Sequence, residues 1–415
     1  MLELCLFDLD NTLLKTDDLK DAREACKNNA DPVRLTALNG LIRLDPNRRV
    51  YSLNFLQAIR AQFRGLKLGV FTRAPRSYTE VLLAWAYPGF AWDVIVAYED
   101  VRPTKPHGDG VHLAMRQLHI DDPKKVVLVG DTDVDMKAAY NAGCRVALDK
   151  RAWPFKYLSE HWRALDLVAD AIIERPQDVL DFLANPLTLL PNLERLLEGG
   201  AHERAWRYEK LGYFVPNGVD VGRNHYHVHI AGRSFSGHQS VRPRRLGHSL
   251  SDSVEANKES VVFPAEWVEA VRNFIDVTFD TLFNPKDVVV TVVPHRPGRQ
   301  PRLEAFLAQL ARSLVANPLE ARVTCVPGLL AYTAGVRSNH GQHLSRLERF
   351  ENVRDHLVVH QPQLVPGNKA FLVIDDVVTS GASLIYAQRH LEEAGATDVY
   401  LLGLGKNIGD IYAYQ

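Results

Sequence analysis

Cys5-Leu-Phe-Asp-Leu-Asp-Asn-Thr-Leu-Leu14 runs from apolar residues straight into two carboxylates. Side chains alternate across an extended chain with period two, so a strand through this stretch turns Asp8 and Asp10 the same way as it ends. In an open parallel sheet, ligands bind at the carboxyl ends of the strands. Two acids packed at such an end repel each other unless a cation or a shared proton relieves them. A solvated loop leading into a helix N-cap explains Asn11 or Thr12 but not both acids.

Three further segments follow in order. Gly69-Val-Phe-Thr72 ends a second apolar run with a hydroxyl, and Lys105 sits in Arg102-Pro-Thr-Lys-Pro-His-Gly-Asp109. Val127-Leu-Val-Gly-Asp-Thr-Asp-Val-Asp-Met-Lys-Ala-Ala-Tyr-Asn-Ala-Gly143 then closes a third run with Asp131 and Asp135. Their i, i+4 spacing puts these two acids on one face of a starting helix. Short apolar runs at 2–6, 66–71, 126–129, 145–148 and 171–173 are each followed by a polar loop or a helix-period segment. Alternation of this kind predicts a doubly wound parallel sheet with helices on both faces. A second block of the same kind starts near Val261, with strand candidates at 288–293, 371–374 and 399–402.

The four segments resemble, in order and spacing, the haloacid dehalogenase (HAD) superfamily of phosphatases over about the first 180 residues. The resemblance implies that Asp8 is the nucleophile and Asp10 the general acid and base. It also implies that Thr72 and Lys105 hold phosphoryl oxygens, the lysine offsetting charge against Asp8. Mg²⁺ would be held by Asp8, the Asp10 backbone carbonyl, Asp131 and Asp135, an oxygen-only set that suits magnesium better than zinc. Only about 60 residues separate Asp10 from Thr72 and about 30 separate Thr72 from Lys105, so any cap is small. The charged tract at 15–34 reads as a solvated helical face.

The whole chain has 415 residues, 46% hydrophobic and 24% charged, which excludes disorder or a collagen-like chain as a description of the whole. With 49 basic and 50 acidic residues the net charge is −1, which gives no overall drive toward nucleic acid or an acidic membrane. No run approaches the roughly 18 apolar residues of a membrane span, and no signal peptide is read before the first strand. The four cysteines form no CxxC pair, so the expectation is a cytoplasmic chain without disulfides or a zinc ribbon.

Ala370-Phe-Leu-Val-Ile-Asp-Asp-Val-Val-Thr-Ser-Gly-Ala-Ser-Leu384 is again a strand ending in acids, followed by a small-residue loop and a helical pattern. Thr379, Ser380, Gly381, Ala382 and Ser383 offer hydroxyls and N–H groups at a helix N-terminus, a cradle for phosphate. Asp375 and Asp376 are acceptors suited to paired ribose hydroxyls. A well-capped strand-to-helix turn explains Thr379 and Ser383 but not the acid pair. The segment resembles the 5-phosphoribosyl-1-pyrophosphate (PRPP) motif of type I phosphoribosyltransferases. Val289-Val-Thr-Val-Val-Pro-His-Arg-Pro-Gly-Arg299 would then be the strand and pyrophosphate loop. Gln342, Arg349 and Asn352 resemble the mobile loop of competence-protein ComF-like members. The implied ligand is PRPP with Mg²⁺, cations such as Arg296 and Arg299 stabilising the departing pyrophosphate. Arg302-Leu-Glu-Ala305 stands where the family has Arg-Gly-Phe-Asn, so a domain that only senses PRPP or a nucleotide stays open.

Between the blocks, residues 186–260 are rich in Pro, Gly, Arg and His. His225-Tyr-His-Val-His-Ile230 alternates, so as a strand it presents His225, His227 and His229 on one face. Zinc could sit there, but the scarcity of Cys and acids argues against it, and a solvated face or phosphate-bonded imidazoles need no metal. Arg233, Arg242, Arg244 and Arg245 read as a solvated basic loop. The expected architecture is therefore α/β, with two doubly wound parallel-sheet domains. A HAD-like hydrolase with a small cap spans 1–184, an irregular His/Arg-rich segment packed on the C-terminal domain spans 185–260, and a phosphoribosyltransferase-like domain spans 261–415. The expected function is a bifunctional enzyme acting on small phosphorylated metabolites and PRPP, with consecutive steps that yield a nucleoside-like product. The alternative is a phosphatase controlled by a PRPP- or nucleotide-sensing domain. The substrate, the acceptor and the oligomeric state are not legible.

Overall fold

The computed structural model describes residues 1–27, 31–200, 206–219, 221–279, 287–337 and 344–413. The chain forms two compact units, each made from separate stretches. The first comprises Met1–Leu190, Phe235–Leu246 and Gly409–Gln415, and the second comprises Pro191–Ser234 and Gly247–Ile408. Residues 185–260 are therefore shared between them. No helix among the described residues is long and apolar enough to cross a membrane.

In the first unit the strands are β1 (Leu4–Phe7), β2 (Lys67–Phe71), β3 (Val94–Val96), β4 (Val126–Gly130), β5 (Arg145–Asp149) and β6 (Ala171–Ile173). They form one sheet in the order β3-β2-β1-β4-β5-β6, with every neighbouring pair parallel. All of β1 and β4 is buried, because a parallel sheet covered on both faces hides both sides of its central strands. Strand order reverses between β1 and β4, where Phe7 pairs with Val129. A crevice opens at the carboxyl ends of two strands that diverge in this way.

Past Phe7 the chain does not stay extended. Asn11 takes a left-handed φ of 57°, a conformation asparagine tolerates, and its N–H donates to the Leu14 carbonyl at 2.6 Å. The bend follows Asp10, which forms an isolated bridge with Leu14, and the side chains of Asp8 and Asp10 line one cavity. Helices Lys20–Ala25, Pro32–Ile42 and Leu53–Gln62 follow before β2. The second begins on Asp31, whose side chain caps Val33 N at 2.9 Å, and buries Leu38 and Ile42. Buried Arg48 ties both ends of this tract together. It donates to the carbonyls of Ile42 (3.0 Å) and Lys15 (3.1 Å) and forks onto the Asp18 carboxylate at 2.5 and 2.6 Å.

The second unit is also α/β. Its main sheet contains β7 (Glu209–Phe214), β8 (His225–Ile230), β9 (Arg233–Phe235), β10 (Asp287–Val292) and β11 (Arg322–Cys325). A separate hairpin pairs β12 (Leu330–Tyr332) with β13 (Leu357–Val359), and the main sheet is completed by β14 (Ala370–Val378) and β15 (Asp398–Ile408). The order is β11-β10-β14-β15-β8-β7, parallel except for the β7–β8 pair, and β9 also pairs with β15.

The expectation of an irregular middle segment is corrected here. Residues 209–214 and 225–230 form a hairpin that extends the sheet, because Tyr226, Val228 and Ile230 alternate onto its buried face. The solvated basic loop is corrected for two of its four arginines, Arg242 being exposed and Arg245 partly so. Arg233 is fully buried and forks onto Glu194, with Nε at 2.8 Å and Nη2 at 2.5 Å. Arg244 is buried on Asp170. A guanidinium enters a core only with such a planar partner.

Candidate active site

The turn after β1, the end of β2 and the end of β4 converge on one cavity of about 360 Å³, at the small end for ligand pockets. Asp8, Asp10, Thr72, Lys105, Asp131 and Asp135 all line it, so the first unit gathers every candidate the sequence reading named for it. Asp8 N donates to the Val129 carbonyl at 2.8 Å, fixing its backbone to β4. Lys105 is buried and bridges two acids, reaching Asp8 Oδ1 at 2.5 Å and Asp135 Oδ1 at 2.6 Å. Thr72 Oγ1 accepts from Ala74 N at 3.0 Å, leaving its own hydrogen to donate into the cavity.

Asp135 has a double role. It sits at N3 of helix Asp133–Ala142 in a capping box with Thr132, whose N and Oγ1 donate to Asp135 Oδ2 at 3.2 and 3.0 Å. Gly130 makes this possible: a Cβ there would fall 2.3 Å from the Asp135 carboxyl carbon. Thr12 Oγ1 donates to Asp131 Oδ1 at 3.2 Å, and Trp153 Nε1 holds the Asp131 carbonyl at 2.8 Å.

Among the described residues, Asp8, Asp131 and Asp135 are the group of three that could hold a metal, their oxygens within 4.8 Å of one another. Burial lifts the Asp8 carboxyl to about 7, against the pull of Lys105 and with the push of Asp135 and Asp10. Burial and the charges of Asp135 and Asp8 likewise lift Asp131 well above the usual range. Carboxylates crowded to this degree, with oxygen donors only, fit a hard divalent cation such as Mg²⁺.

The sequence does not mark the residues that surround Asp10. Arg23, in the tract expected to be a solvated face, pairs with Asp10 Oδ2 at 3.0 Å, and Lys20 lines the same cavity. Thr16 and Tyr78 donate to Asp10 Oδ1 at 2.6 and 3.1 Å. Nothing local in the sequence marks these partners, since Tyr78 lies 68 residues beyond Asp10.

In the second unit, Asp375 and Asp376 lie near the end of β14, and Gly381, at φ 77°, caps helix Ala382–Glu393. A Cβ on Gly381 would sit 2.7 Å from the Tyr213 ring. Thr379, Ser380, Ala382 and Ser383 form the turn and first residues of that helix. Burial and the charge of Asp376 push Asp375 well above the usual range. Arg302 Nη1 donates to Asp376 Oδ2 at 3.2 Å. Arg296 lies over the Tyr332 ring at 5.8 Å, and the Tyr332 hydroxyl donates to Ser383 Oγ at 3.3 Å. Arg296 and Ser383 therefore come together, while Arg299 is exposed in the turn after Arg296.

Gln342 lies outside the described residues. Arg349 and Asn352, expected in a loop, are on helix Arg346–His356, which Ser345 and Glu348 start with a capping box. Asn352 is buried and brackets the backbone of Arg337 at 2.8 and 3.1 Å. On β8, His225 and His227 meet edge to face at 4.6 Å, whereas His229 packs on Phe274 at 5.1 Å.

Residues 52–148 match the family model described as haloacid dehalogenase-like hydrolase. Pyrophosphatase PpaX of Bacillus cereus is 27% identical over 135 residues, 32% of this chain and 55% of that protein. Phosphoglycolate phosphatase of Escherichia coli is 32% identical over 127 residues, 30% of this chain and 47% of that protein. The chain thus spans about half the length of these curated relatives. Among solved structures, a HAD-superfamily hydrolase of subfamily IA from Geobacter sulfurreducens is 16% identical, with a TM-score of 0.32, covering 44% of this chain and 100% of that one. CbbY from Rhodobacter sphaeroides, solved with xylulose-1,5-bisphosphate, is 22% identical with a TM-score of 0.31, covering 42% and 95%. The N-terminal region contains a HAD-superfamily hydrolase domain.

Proposed function

We propose that the first unit hydrolyses phosphate monoesters of small polar metabolites. The observation that carries this reading is the buried Lys105 ammonium bridging Asp8 and Asp135, beside Asp131 at the β1/β4 crevice. Asp8 attacks phosphorus while the ester P–O bond breaks and the departing oxygen takes the proton of Asp10. Water then attacks the aspartyl-phosphate, gives its proton to Asp10 and frees Asp8 with inorganic phosphate. Thr72 and Lys105 orient the phosphoryl oxygens throughout. Asp8, Asp131, Asp135 and the Asp10 carbonyl would hold Mg²⁺, which when bound supplies charge neutralisation for the phosphoryl group. Among the described residues the cavity lining is almost wholly polar, with Val134 its one apolar side chain. This favours a hydrophilic leaving group.

The second unit, in this proposal, binds PRPP with Mg²⁺. The N-terminus of helix Ala382–Glu393 would cradle the 5-phosphate, Asp375 and Asp376 would face the ribose, and Arg296 and Arg299 would take the pyrophosphate. Transfer to an acceptor followed by removal of the phosphate in the first unit would give a nucleoside-like product. A second reading is favoured by the Arg302–Asp376 ion pair, which already engages one of the two acids. Here PRPP or a nucleotide binds without turnover and its occupancy controls the phosphatase.

The test incubates the full chain with Mg²⁺ and either p-nitrophenyl phosphate or PRPP, beside Asp8→Asn and Asp376→Asn. We expect ester hydrolysis with an acid-trapped phosphoenzyme, reduced at least about 10³-fold in Asp8→Asn, since a missing nucleophile removes the covalent route. Hydrolysis that survives Asp8→Asn sinks the phosphatase reading. Pyrophosphate release from PRPP once a deproteinised cell extract supplies nucleobase and amine acceptors, lost in Asp376→Asn, marks transfer. A phosphatase rate that responds to PRPP without pyrophosphate release marks sensing.

A further inference from the structure

We propose that Tyr78, Arg23 and Thr16 are positioning residues that fix the Asp10 carboxyl for its two proton transfers. The inference rests on the phosphatase reading of Asp10 given above. Asp10 Oδ1 accepts from Thr16 Oγ1 at 2.6 Å and from the Tyr78 hydroxyl at 3.1 Å, and Oδ2 faces Arg23 Nη1 at 3.0 Å. The three donors come from three separate pieces of chain. Thr16 precedes the short turn Asp17–Leu19, Arg23 belongs to helix Lys20–Ala25, and Tyr78 to helix Arg76–Ala86.

Asp10 lies beyond the end of β1, in an isolated bridge to Leu14, so no neighbouring strand of the sheet aims it. Asp8, by contrast, is anchored by β4 through its backbone and by Lys105 through its side chain. A short carboxyl side chain has two free torsions, and acid–base work demands placement within about half an ångström. Hydrogen bonds to both oxygens from rigid neighbours supply that placement. Tyr78 is the strongest of the three supports: its ring is fully buried in the core that also holds Leu82 and Leu83. Burial, reinforced by the Asp10 charge, keeps its hydroxyl protonated and therefore a donor. Arg23 and Thr16 act from the side of the small cap, so the acid is held jointly by core and cap residues.

A positioning role has a kinetic signature that general structural support lacks. Glycerol phosphate releases an alkoxide that needs the Asp10 proton, whereas p-nitrophenyl phosphate releases a stabilised phenolate that hardly does. General acid catalysis contributes about 10²–10⁴-fold. Losing one of three supports is therefore expected to lower kcat/KM for glycerol phosphate about 5–30-fold and for p-nitrophenyl phosphate less than about threefold.

The experiment measures both esters with the full chain and Mg²⁺ for wild type, Tyr78→Phe, Arg23→Gln and Arg23→Lys. Tyr78→Phe keeps the buried ring, and the half-exposed Arg23 provides an independent variant should the core fail to tolerate that change. With p-nitrophenyl phosphate, kcat and KM should fall together in Tyr78→Phe, because water attack on the phosphoenzyme also uses Asp10. More acid-trapped phosphoenzyme should then accumulate at steady state. Arg23→Lys should recover part of the glycerol phosphate activity lost in Arg23→Gln. Equal losses on both esters, or no loss on either, overturn the positioning role while leaving the phosphatase reading intact. If wild type hydrolyses neither ester, the phosphatase reading fails and this inference falls with it.

Discussion

Replacing Asp8 by asparagine should abolish turnover and yet make the metal-free protein more stable. The structure supplies the size of the effect. Burial raises the Asp8 carboxyl from 3.8 to about 7, so its ionised form is penalised in the folded chain. At about 1.4 kcal/mol per tenfold change, a gap of that size is worth up to about 4 kcal/mol. The sign follows from which state binds the proton. Below about pH 4 both states hold it and the penalty is absent. Between about pH 4 and pH 7 only the folded state retains it, so stability falls as the pH rises, and above pH 7 the penalty is complete. Asparagine resembles the protonated acid at every pH, so Asp8→Asn should match wild type near pH 4 and exceed it at pH 8. For a unit of this size, about 4 kcal/mol is about 8–16 °C in melting temperature. The assay is thermal unfolding of the full chain in a chelator at several pH values, repeated in saturating Mg²⁺. A ligand that binds the folded state stabilises by mass action, and the variant has one carboxylate fewer to offer it. Mg²⁺ should therefore narrow or reverse the order. An asparagine variant that is less stable than wild type at pH 8 in chelator would refute the argument that these acids are held together against their charge.

Three other changes read different parts of the molecule. Lys105→Met leaves Asp8 and Asp135 without their shared cation, and breaking a buried pair costs about 3–5 kcal/mol, so its melting temperature should drop in chelator and activity should vanish. Gly381→Ala puts a Cβ 2.7 Å from Tyr213 at φ 77°, so chemical denaturation should show a loss of at least about 1 kcal/mol, and calorimetry should show weakened PRPP binding. His229 is depressed to about 4, chiefly by burial, so the unfolded chain takes up its proton first as the pH falls. Stability tied to its neutral ring is full above about pH 6.5 and is lost toward pH 4, by up to about 3 kcal/mol. His229→Phe should flatten that slope in acid titrations followed by circular dichroism.

The residues that do the proposed chemistry were legible because the fold delivers them locally. Most lie within a few residues of a strand's carboxyl end: Asp8 after β1, Thr72 after β2, Asp131 after β4, and Asp375 and Asp376 near the end of β14. An apolar run that stops on an acid or a hydroxyl is visible in one dimension, and strand order then does the gathering. Both sheets were visible for the same reason. The alternation of His225–Ile230 marks β8, but its partner β7 was harder to see, because a half-exposed antiparallel strand carries no continuous apolar run. The buried arginines were illegible for a related reason. Arg233 and Arg244 look like surface charges until Glu194 and Asp170 are brought to them across 39 and 74 residues of sequence.

What stayed hidden is therefore the layer that holds the reactive groups in place. Tyr78, Arg23, Thr16 and Trp153 lie on different elements and meet the site only through tertiary packing. Their types are ordinary for the helices and turns that carry them, so no spacing separates them from neighbours that merely pack. The tract at 15–34 illustrates the cost of reading charge alone. By charge alone it is a wetted helix face, yet it contributes Thr16, Lys20 and Arg23 to the cavity wall. A charged helix beside a cluster of buried carboxylates has an electrostatic reason to turn its cations inward, and the excess of acids in the first site was already visible in the chain. Asp8, Asp10, Asp131 and Asp135 outnumber Lys105, and that imbalance requires cations from elsewhere in the fold as well as a metal. Arg23 on Asp10 answers part of that requirement, and the Asp8→Asn comparison with and without Mg²⁺ measures the part left to the ion.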